Sequence, residues 1–395
     1  MKTNEQKLSY CHITRLYISL HPKSTNRKRF MKRLTVFCLS ALLTGTTFTA
    51  TSQKTLIPNN TEVFKLSLET HGSYNEALSG ETERDRFLLN DFKVEATGTV
   101  LPWLSYAYRQ VLCYRNEWVR ANGFGSYIEN AWVNFQLSEK FSVTAGKQDA
   151  AWGGFEYDEY PYRIYDYSDM NDWMECYFTG VAVSYEPTGT QEICVQVTNG
   201  NDNRSKSPSF YNLGWNSSYL DEMLSLRYSV TAGQQAKGNW MWMVWGGQQV
   251  EAGKFLGYFD VMYTRGKMDP MGLLAEQFEP EDEENGASIG NTSYLSLVAR
   301  LNYQIHPKWN LFVKGMYETA SVYKANGPYE SGKYRTAWGY QGGVEFYPMG
   351  DDNLHLFMTG TGRAYNLTEK AKAFDVFAEN TGRLSVGFVY KIPLF

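Results

Sequence analysis

The segment Ala150–Glu175 holds the densest group of chemically active side chains in the sequence. Its seven acidic residues face a single basic one, Arg163. Carboxylates crowded into a narrow aqueous passage favour cations and repel anions. The segment therefore predicts a constriction loop at about residues 150–175, formed by Glu156, Asp158, Glu159, Arg163, Asp166, Asp169 and Asp172.

Two other interpretations of this segment stay open. Its carboxylates could simply face water in a surface loop. Its aromatic residues could instead stack on sugar rings, as in an uptake channel for oligosaccharides. These residues are Trp152, Phe155, Tyr157, Tyr160, Tyr162, Tyr165, Tyr167 and Trp173.

Basic residues that could balance the charge of these acids lie far apart in the sequence. Each is on the polar face of a segment in which apolar and polar residues alternate. We expect them to line the wall of the lumen: Arg109, Arg227, Arg300, Lys314 and Arg363. Acids on a loop and bases on a wall create a transverse field that orients dipolar solutes. We expect the wall bases to be screened across a water-filled lumen, so that the loop acids dominate.

Catalytic and metal-binding patterns are weak. A hydrolytic barrel needs His beside a nucleophile or acid at its rim, and only His71, His306 and His355 remain after residue 52. The three cysteines of the same region match no zinc or disulfide spacing. The acidic run 279–284 lacks the alternating ligands and central Gly of a calcium loop. The sequence thus predicts no enzyme, no metal and no cofactor. A plugged surface adhesin, with its lumen closed by a large loop, stays the alternative to an open pore.

The elements that must position these side chains are strands with period-two alternation. In the segment 130–137, Ala131, Val133 and Phe135 alternate with Asn130 and Asn134. Many charged residues fall on the polar parity, and a packed interior could not bury them. The pattern predicts an all-β fold, an antiparallel transmembrane β-barrel. A β-sandwich with its polar face outward is the alternative.

Connections between these strands alternate between short periplasmic turns and long external loops. The short set includes Gly233–Gly238 and Gly266–Pro270, and the long set includes 201–221, with a shorter external one near 249–254. Termini that both lie in the periplasm require an even strand number. Counting Met271–Phe278 as a weak strand gives 16 strands.

Composition agrees with a barrel. No run of 18 apolar residues occurs and the mean hydropathy is −0.44, so no segment is a candidate helical membrane span. Strands that alternate lipid-facing and lumen-facing residues keep the average hydrophilic. The net charge of −4 argues against a nucleic-acid partner, because no basic field is available to displace counterions.

Residues 31–52 have the pattern of a cleavable signal peptide. Met31-Lys32-Arg33 is a basic start, Leu34–Thr46 is apolar, and Ala50-Thr51-Ser52 supplies small residues for cleavage. Residues 1–30 are a possible upstream extension, and 53–395 form the barrel. We expect an integral protein of the bacterial outer membrane, in contact with lipid and lipopolysaccharide. The terminal Phe395 after an amphipathic strand resembles the signal read by the barrel assembly machinery.

Several short motifs resemble the phosphate-selective porin O and P family. They are Gly146-Lys147-Gln148-Asp149, Trp152-Gly153-Gly154, Phe178-Thr179-Gly180-Val181, Thr198-Asn199-Gly200-Asn201, Phe259-Asp260, Met268-Asp269 and the closing Tyr390-Lys391-Ile392-Pro393-Leu394-Phe395. The resemblance implies a 16-stranded porin, commonly a homotrimer, whose third external loop folds into the lumen. It also implies passage of small solutes, with phosphate attracted by Arg and Lys at the constriction. The acids of Ala150–Glu175 depart from that pattern, so we expect weak selectivity leaning to cations.

The cleavage pattern makes a first prediction. The mature protein should begin within about two residues of Gln53, because signal peptidase selects small side chains just before the cut. N-terminal sequencing or intact mass of the protein purified from outer membranes measures this. Residues 1–30 on the membrane-inserted protein would contradict it.

Overall fold

In the computed structural model, the described strands form one closed antiparallel sheet. The structure describes residues 63–79, 85–114, 117–118, 128–159, 163–200, 210–236, 238–278 and 288–395. The signal-peptide prediction, the acidic run 279–284, Tyr160 and Tyr162 lie outside these residues. The sixteen long strands are β1 (Lys65–Ser79), β2 (Arg86–Leu101), β3 (Leu104–Tyr114), β4 (Ile128–Gln136), β5 (Phe141–Asp149), β6 (Tyr177–Thr188), β7 (Gln191–Thr198), β8 (Phe210–Tyr219), β9 (Leu224–Ala236), β10 (Asn239–Ala252), β11 (Phe255–Gly266), β12 (Thr292–His306), β13 (Trp309–Val322), β14 (Gly332–Phe346), β15 (Leu354–Leu367) and β16 (Thr381–Pro393).

The sheet closes between its first and last strands. β1 pairs with β2 on one side and with β16 on the other, with Leu68 opposite Ile392. The backbone N–H of Leu66 donates to the carbonyl oxygen of Phe395 at 3.1 Å, so pairing continues to the end of the chain. The two-residue segment Glu117–Trp118 adds to the end of β3. Closure removes the sheet edges, which lipid cannot hydrate, and excludes the sandwich alternative.

The two faces of the wall differ as the alternation predicts. On β12, Leu295, Leu297 and Leu301 point outward, whereas Ser296 and Arg300 are buried inside. Charged residues on the inner face of the neighbouring strands are also buried: Asp260, Lys314, Glu318 and Glu345. The outer face therefore supplies an apolar surface for lipid, and the charges lie in the lumen.

The prediction of sixteen strands is confirmed, although two strand assignments were wrong. The segment 201–221, predicted as one external loop, contains β8. The predicted weak strand Met271–Phe278 instead forms a short helix, Leu273–Phe278. The prediction missed one strand and added another, so the total stayed correct. Each strand carries the chain from one end of the barrel to the other, so the connections between these two errors were assigned to the wrong end.

We call the end of the barrel that holds both ends of the sheet the turn end, and the opposite end the loop end. The connection near 249–254, predicted as external, is at the turn end, whereas Gly233–Gly238 and Gly266–Pro270 are at the loop end. The turn after β8 explains the error. Leu220, Asp221 and Glu222 all adopt positive φ angles, between 53° and 67°. The sequence signal of this left-handed turn is weak, because Asp221 is its one common turn residue and no Gly, Asn or Pro is present.

Short helices occur only in connections at the loop end, among the described residues. α1 (Phe155–Asp158) and α2 (Asp169–Trp173) lie between β5 and β6, α3 (Leu273–Phe278) follows β11, and α4 (Glu369–Lys372) follows β15. None of these described helices is long and apolar enough to cross a membrane. Leu273 and Leu274 of α3 are fully buried and join the same apolar cluster as Tyr334 of β14 and Ala371 of α4. This part of the barrel mouth is therefore covered by packed loops.

The two faces of β4 generate a second prediction. Val133 points outward in the middle of the strand, and Asn134 points inward, where its side chain donates to Thr144 at 2.8 Å. Val133→Arg should lower the free energy of unfolding by about 2–4 kcal/mol if the site is near the bilayer midplane. Asn134→Arg should cost much less, since the lumen is polar. Urea unfolding in phospholipid vesicles measures both, and equal losses would reject this assignment of faces.

Candidate functional site

The segment between β5 and β6, residues 150–176, is called the inner loop here, and its described parts, 150–159 and 163–176, lie inside the barrel. Their backbone donates to side chains on the inner face of successive strands. The N–H of Ala151 donates to Gln196 on β7, that of Gly153 donates to Ser229 on β9, each at 2.8 Å, and that of Phe155 donates to Asp260 on β11 at 2.9 Å. The inner loop therefore lies in the lumen and not in solvent above the barrel.

Two glycines let the inner loop come this close to the wall. A Cβ atom on Gly153 would lie 2.8 Å from the carbonyl oxygen of Arg227. Gly154 has a φ of 95°, which residues with a side chain rarely adopt. It also lies against Gly247 of β10, where an added Cβ atom would be 2.8 Å from the Cα of Gly154. The Trp152-Gly153-Gly154 motif is thus explained by close contact of two backbones.

Asp260 fixes the start of α1. Its carboxylate accepts the backbone N–H of Phe155 at 2.9 Å and that of Glu156 at 2.7 Å. These N–H groups belong to the first turn of the helix and have no partner within it. A carboxylate is the best acceptor for them because it also complements the positive end of the helix.

Glu156 is the centre of the buried network. Its carboxylate is fully buried and accepts from the ammonium group of Lys314 and from the hydroxyl and backbone N–H of Ser168. Lys314 also donates to the carbonyl oxygen of Asp166 at 2.8 Å. A buried pair survives only when its remaining donors and acceptors are satisfied. Here the second half of the inner loop supplies them.

The next acids along the inner loop pair with neighbouring strands. Asp158 pairs with Arg227, and the carboxylate of Glu159 lies 3.1 Å from Nη1 of Arg300. Burial raises the pKa of Glu159, and the attraction of Arg300 opposes this rise. Arg163 reaches Asp352 at the turn end at 2.5 Å. The inner loop therefore extends to the turn end of the barrel.

The returning half of the inner loop is fixed by two arginines. Asp166 accepts from Nε of Arg363 at 2.9 Å, and Asp169 contacts both Arg363 at 2.7 Å and Arg335 at 2.9 Å. The sequence did not predict a role for Arg335. A register shift between β13 and β14 beside it breaks the period-two count, so alternation alone could not place this side chain inside.

Tyr165 anchors the turn near the tip of the inner loop. Its ring stacks on Phe312, with 5.3 Å between centroids, and packs against Phe357 at 4.7 Å. Its hydroxyl donates to Glu345 at 2.8 Å. The aromatic ring therefore packs against the wall and does not offer a free face to a passing solute.

Asp172 and Glu175 belong to the last residues of the inner loop. Asp172 in α2 is exposed, and its backbone N–H donates to the carbonyl oxygen of Ser168 at 2.9 Å. Glu175 is partly buried, and this burial raises its pKa, while the nearby charge of Lys147 opposes the rise. These two carboxylates lie near the return of the chain to β6.

The expectation of wall bases screened by a wide water layer is wrong. Arg300 and Lys314 are each only 3% exposed and contact the inner loop directly, because the loop fills the space between them. Arg109 is the exception. It pairs at 2.6 Å with Glu129 on β4, which also binds Lys93 at 3.1 Å. Charges thus meet as close opposite pairs inside this barrel.

Comparison with known proteins identifies the family. The model of the phosphate-selective porin O and P family matches residues 64–210 and 203–392. The chain belongs to this family. It is therefore a porin, a passive channel integral to the outer membrane. No curated protein matches the chain in the corresponding search.

Solved structures share the porin's fold at low sequence identity. The outer membrane channel DcaP of Acinetobacter baumannii superposes with a TM-score of 0.60 at 11% identity, covering 83% of this chain and 97% of DcaP. An OmpF of Salmonella typhi, solved in complex with daunomycin, gives 0.57 at 12% identity, and OmpT of Vibrio cholerae gives 0.54 at 11%, each with the same two coverages. At such identities the likeness concerns the fold alone.

An apolar core inside the porin was not predicted. Trp242 and Val244 of β10 face lipid, but Met243 and Trp245 on its other face are buried against the inner loop. Trp152 of the loop lies 4.9 Å from Trp245 between ring centroids. The uninterrupted apolar run Trp240–Trp245 was the available signal, since a strand buried on both faces has no polar parity.

The buried pair generates a third prediction. Lys314→Met should leave the carboxylate of Glu156 buried without its ammonium partner and lower the free energy of unfolding by about 3–5 kcal/mol. Adding Glu156→Gln removes the unpaired charge, so the double variant should recover much of this loss. Urea unfolding in vesicles, followed by tryptophan fluorescence, measures all three proteins. A single variant as stable as the parent would show that the pair does not anchor the loop.

Proposed function

We propose that this porin is a weakly selective diffusion channel for small hydrophilic solutes, with a modest preference for cations and no tight phosphate site. The inner loop forms its narrowest part. The observation that carries the proposal is the pairing of loop acids with wall bases: Glu156 with Lys314, Asp158 with Arg227, Glu159 with Arg300, and Asp166 and Asp169 with Arg363. Closely paired charges cancel at a distance, which limits selectivity for either sign.

The preference for cations follows from acids in excess of those pairs. The wall adds Asp260, Glu318 and Glu345 beside the same network. Glu175 adds further negative charge on the inner loop. Because the wall bases already contact carboxylates, a phosphate dianion would have to compete with them or be repelled by them.

An oligosaccharide channel is less well supported. Stacking on sugars needs aromatic faces open to the lumen, and Trp152 and Phe155 are each only 5% exposed. Their rings pack against Trp245 and Tyr258 of the wall. Catalysis likewise has no supporting geometry, since His71 and His355 are buried near Phe357. We therefore propose transport without a chemical step.

We propose a homotrimer as the assembled state. One of the structurally similar proteins, OmpT of Vibrio cholerae folded in vitro, is described in a trimer form, with a TM-score of 0.51 at 11% identity. The partners we expect during biogenesis are the barrel assembly machinery and lipopolysaccharide. Native mass measurement in detergent distinguishes a trimer from a monomer.

One partly exposed ion pair provides the fourth prediction. Asp158 and Arg227 are 39% and 32% exposed in their side chains and form one pair between the inner loop and β9. Asp158→Asn should lower the cation preference, and Arg227→Gln should raise it, because each removes one sign of charge from the same place. The zero-current potential of planar bilayers under a KCl gradient measures both.

The two substitutions are controls for each other. Both disrupt the same pair, so a change caused only by movement of the loop should shift the potential in one direction for both variants. Opposite shifts support a pair that lines the pore. A strong anion preference of the parent, or block of its current by micromolar phosphate, would contradict the proposed selectivity.

A further inference from the structure

The inner loop contacts one side of the barrel wall. The hydrogen bonds and ion pairs described for it join it to side chains on β7, β9 and β11–β16, such as Ser229 on β9 and Arg335 on β14. None of these contacts involves β2, β3 or β4. The described parts of the loop are thus held against the other strands of the barrel.

The exposure of inward side chains differs between the two sides in the same way. On β10 and β11, Met243, Trp245 and Met262 are buried in the apolar cluster that includes the inner loop. On β3 and β4, Ser105 and Trp132 are only half-buried. In the proposed function, the room for a passing solute therefore lies beside β2, β3 and β4.

Trp132 lies on the inner face of β4 with small neighbours on both sides. Its partners in the sheet are Ala107 of β3 and Gly146 of β5. Directly opposed residues are close enough for a large side chain to cover its neighbour, but a methyl group or a hydrogen atom cannot do so. The backbone requires this glycine, since its φ is 127° and an added Cβ atom would lie 2.7 Å from the Cα of Trp132. The indole ring is therefore not covered by its partners on the neighbouring strands.

The indole ring of Trp132 also has no partner in the part of the chain that the structure describes. Neither a hydrogen bond from its Nε1–H nor a contact with another aromatic ring joins it to a described residue. The rings of Trp152 and Trp245, by contrast, pack on each other with 4.9 Å between centroids. A half-buried Trp ring beside the lumen thus offers a solute an apolar face and a hydrogen-bond donor at its edge.

The inward groups next to Trp132 on the turn-end side are polar and uncharged. Asn134 of β4 is paired with Ser105 of β3 and with Thr144 of β5. The amide of Asn134 donates to the hydroxyl of Thr144 at 2.8 Å, which leaves its carbonyl oxygen to accept from a solute. Thr97 of β2 belongs to the same row of the sheet as Trp132. Amide and hydroxyl groups match the hydroxyl groups of a neutral solute, since they donate and accept without net charge.

We propose that Trp132 is a stacking platform for the ring of small neutral sugars, and that Asn134 and the neighbouring hydroxyl groups bind the hydroxyl groups of the sugar. A pyranose has C–H groups on its ring faces and hydroxyl groups around its edge. This shape matches an indole face with polar groups beside it. One platform holds one ring, so the site selects monosaccharides and differs from an oligosaccharide channel, which needs several open aromatic faces. The inference rests on the proposed function, in which small hydrophilic solutes pass beside the inner loop.

The test compares three probes on the folded protein in micelles of a detergent without a sugar head group. D-glucose has a ring with C–H faces, sorbitol has the same carbon skeleton as an open chain, and nicotinamide has a flat aromatic ring without hydroxyl groups. Saturation-transfer NMR titrations give an apparent Kd for each. We expect D-glucose to bind more tightly than the other two probes, because it alone has both a ring face and a hydroxyl edge.

Variants separate stacking from hydrogen bonding. Trp132→Ala should weaken D-glucose about three- to tenfold, the loss of one aromatic contact, and should change sorbitol less than about twofold. Trp132→Phe keeps a ring and should lose less than Trp132→Ala. Trp242→Ala is the matched control, since it removes a Trp from the lipid face of β10, where this side chain is 57% exposed. It should leave the affinity for D-glucose unchanged.

A further variant tests the platform without removing the tryptophan. Ala107→Leu places a larger side chain beside the indole, so it should cover the ring and weaken D-glucose but not sorbitol. It replaces Trp132→Ala if that variant does not fold.

Pore formation is measured separately, as the KCl current of the parent in planar bilayers. A parent that forms no channels would overturn the proposed function. Open channels with equal affinities for D-glucose and sorbitol, or with D-glucose unaffected by both Trp132→Ala and Ala107→Leu, would overturn the platform alone. Nicotinamide bound more tightly than D-glucose would overturn the assignment to sugars.

Discussion

Closure of the backbone hydrogen-bond network governs the whole structure. A strand in hydrocarbon has no water to satisfy its N–H and C=O groups, so the sheet must return to its own first strand. The pairing of β1 with β16, continued by Phe395 at the chain end, achieves this. Closure by sixteen strands leaves a lumen wide enough for a chain segment. Protein side chains, a loop or water must occupy that lumen.

In this porin the inner loop lies in that space, and electrostatic contacts hold it there. Every inward base beside the loop would be costly to bury alone, and so would every loop acid. Bringing them together lets each satisfy the other, as Lys314 does with Glu156 and Arg300 with Glu159. The contact between the rings of Trp152 and Trp245 also buries apolar surface between the loop and the wall. The described parts of the loop are thus held at many points, and Arg163 reaches Asp352 at the turn end.

This arrangement changes what the charges can do. Carboxylates free in a passage would repel anions strongly, whereas carboxylates bound to guanidinium groups produce short-range alternating potentials. In the proposed function, such a surface suits dipolar solutes better than ions of one sign. The family name refers to phosphate, but the residues of this chain place Asp166 beside Arg363 and Arg383. In the function proposed for this chain, selectivity depends on these charges of the inner wall.

The sequence by itself determined the barrel, because alternation is a local property of each strand and charge on one parity excludes a packed core. It also identified the acidic segment at 150–175 and five bases of the wall. It could not place strands where local signals fail, as at the Gly-free turn Leu220–Glu222, or inward residues beside a register shift, as for Arg335. Only the tertiary structure decided which acid meets which base. Partners such as Glu156 and Lys314 are 158 residues apart, and no pattern within one segment encodes their contact.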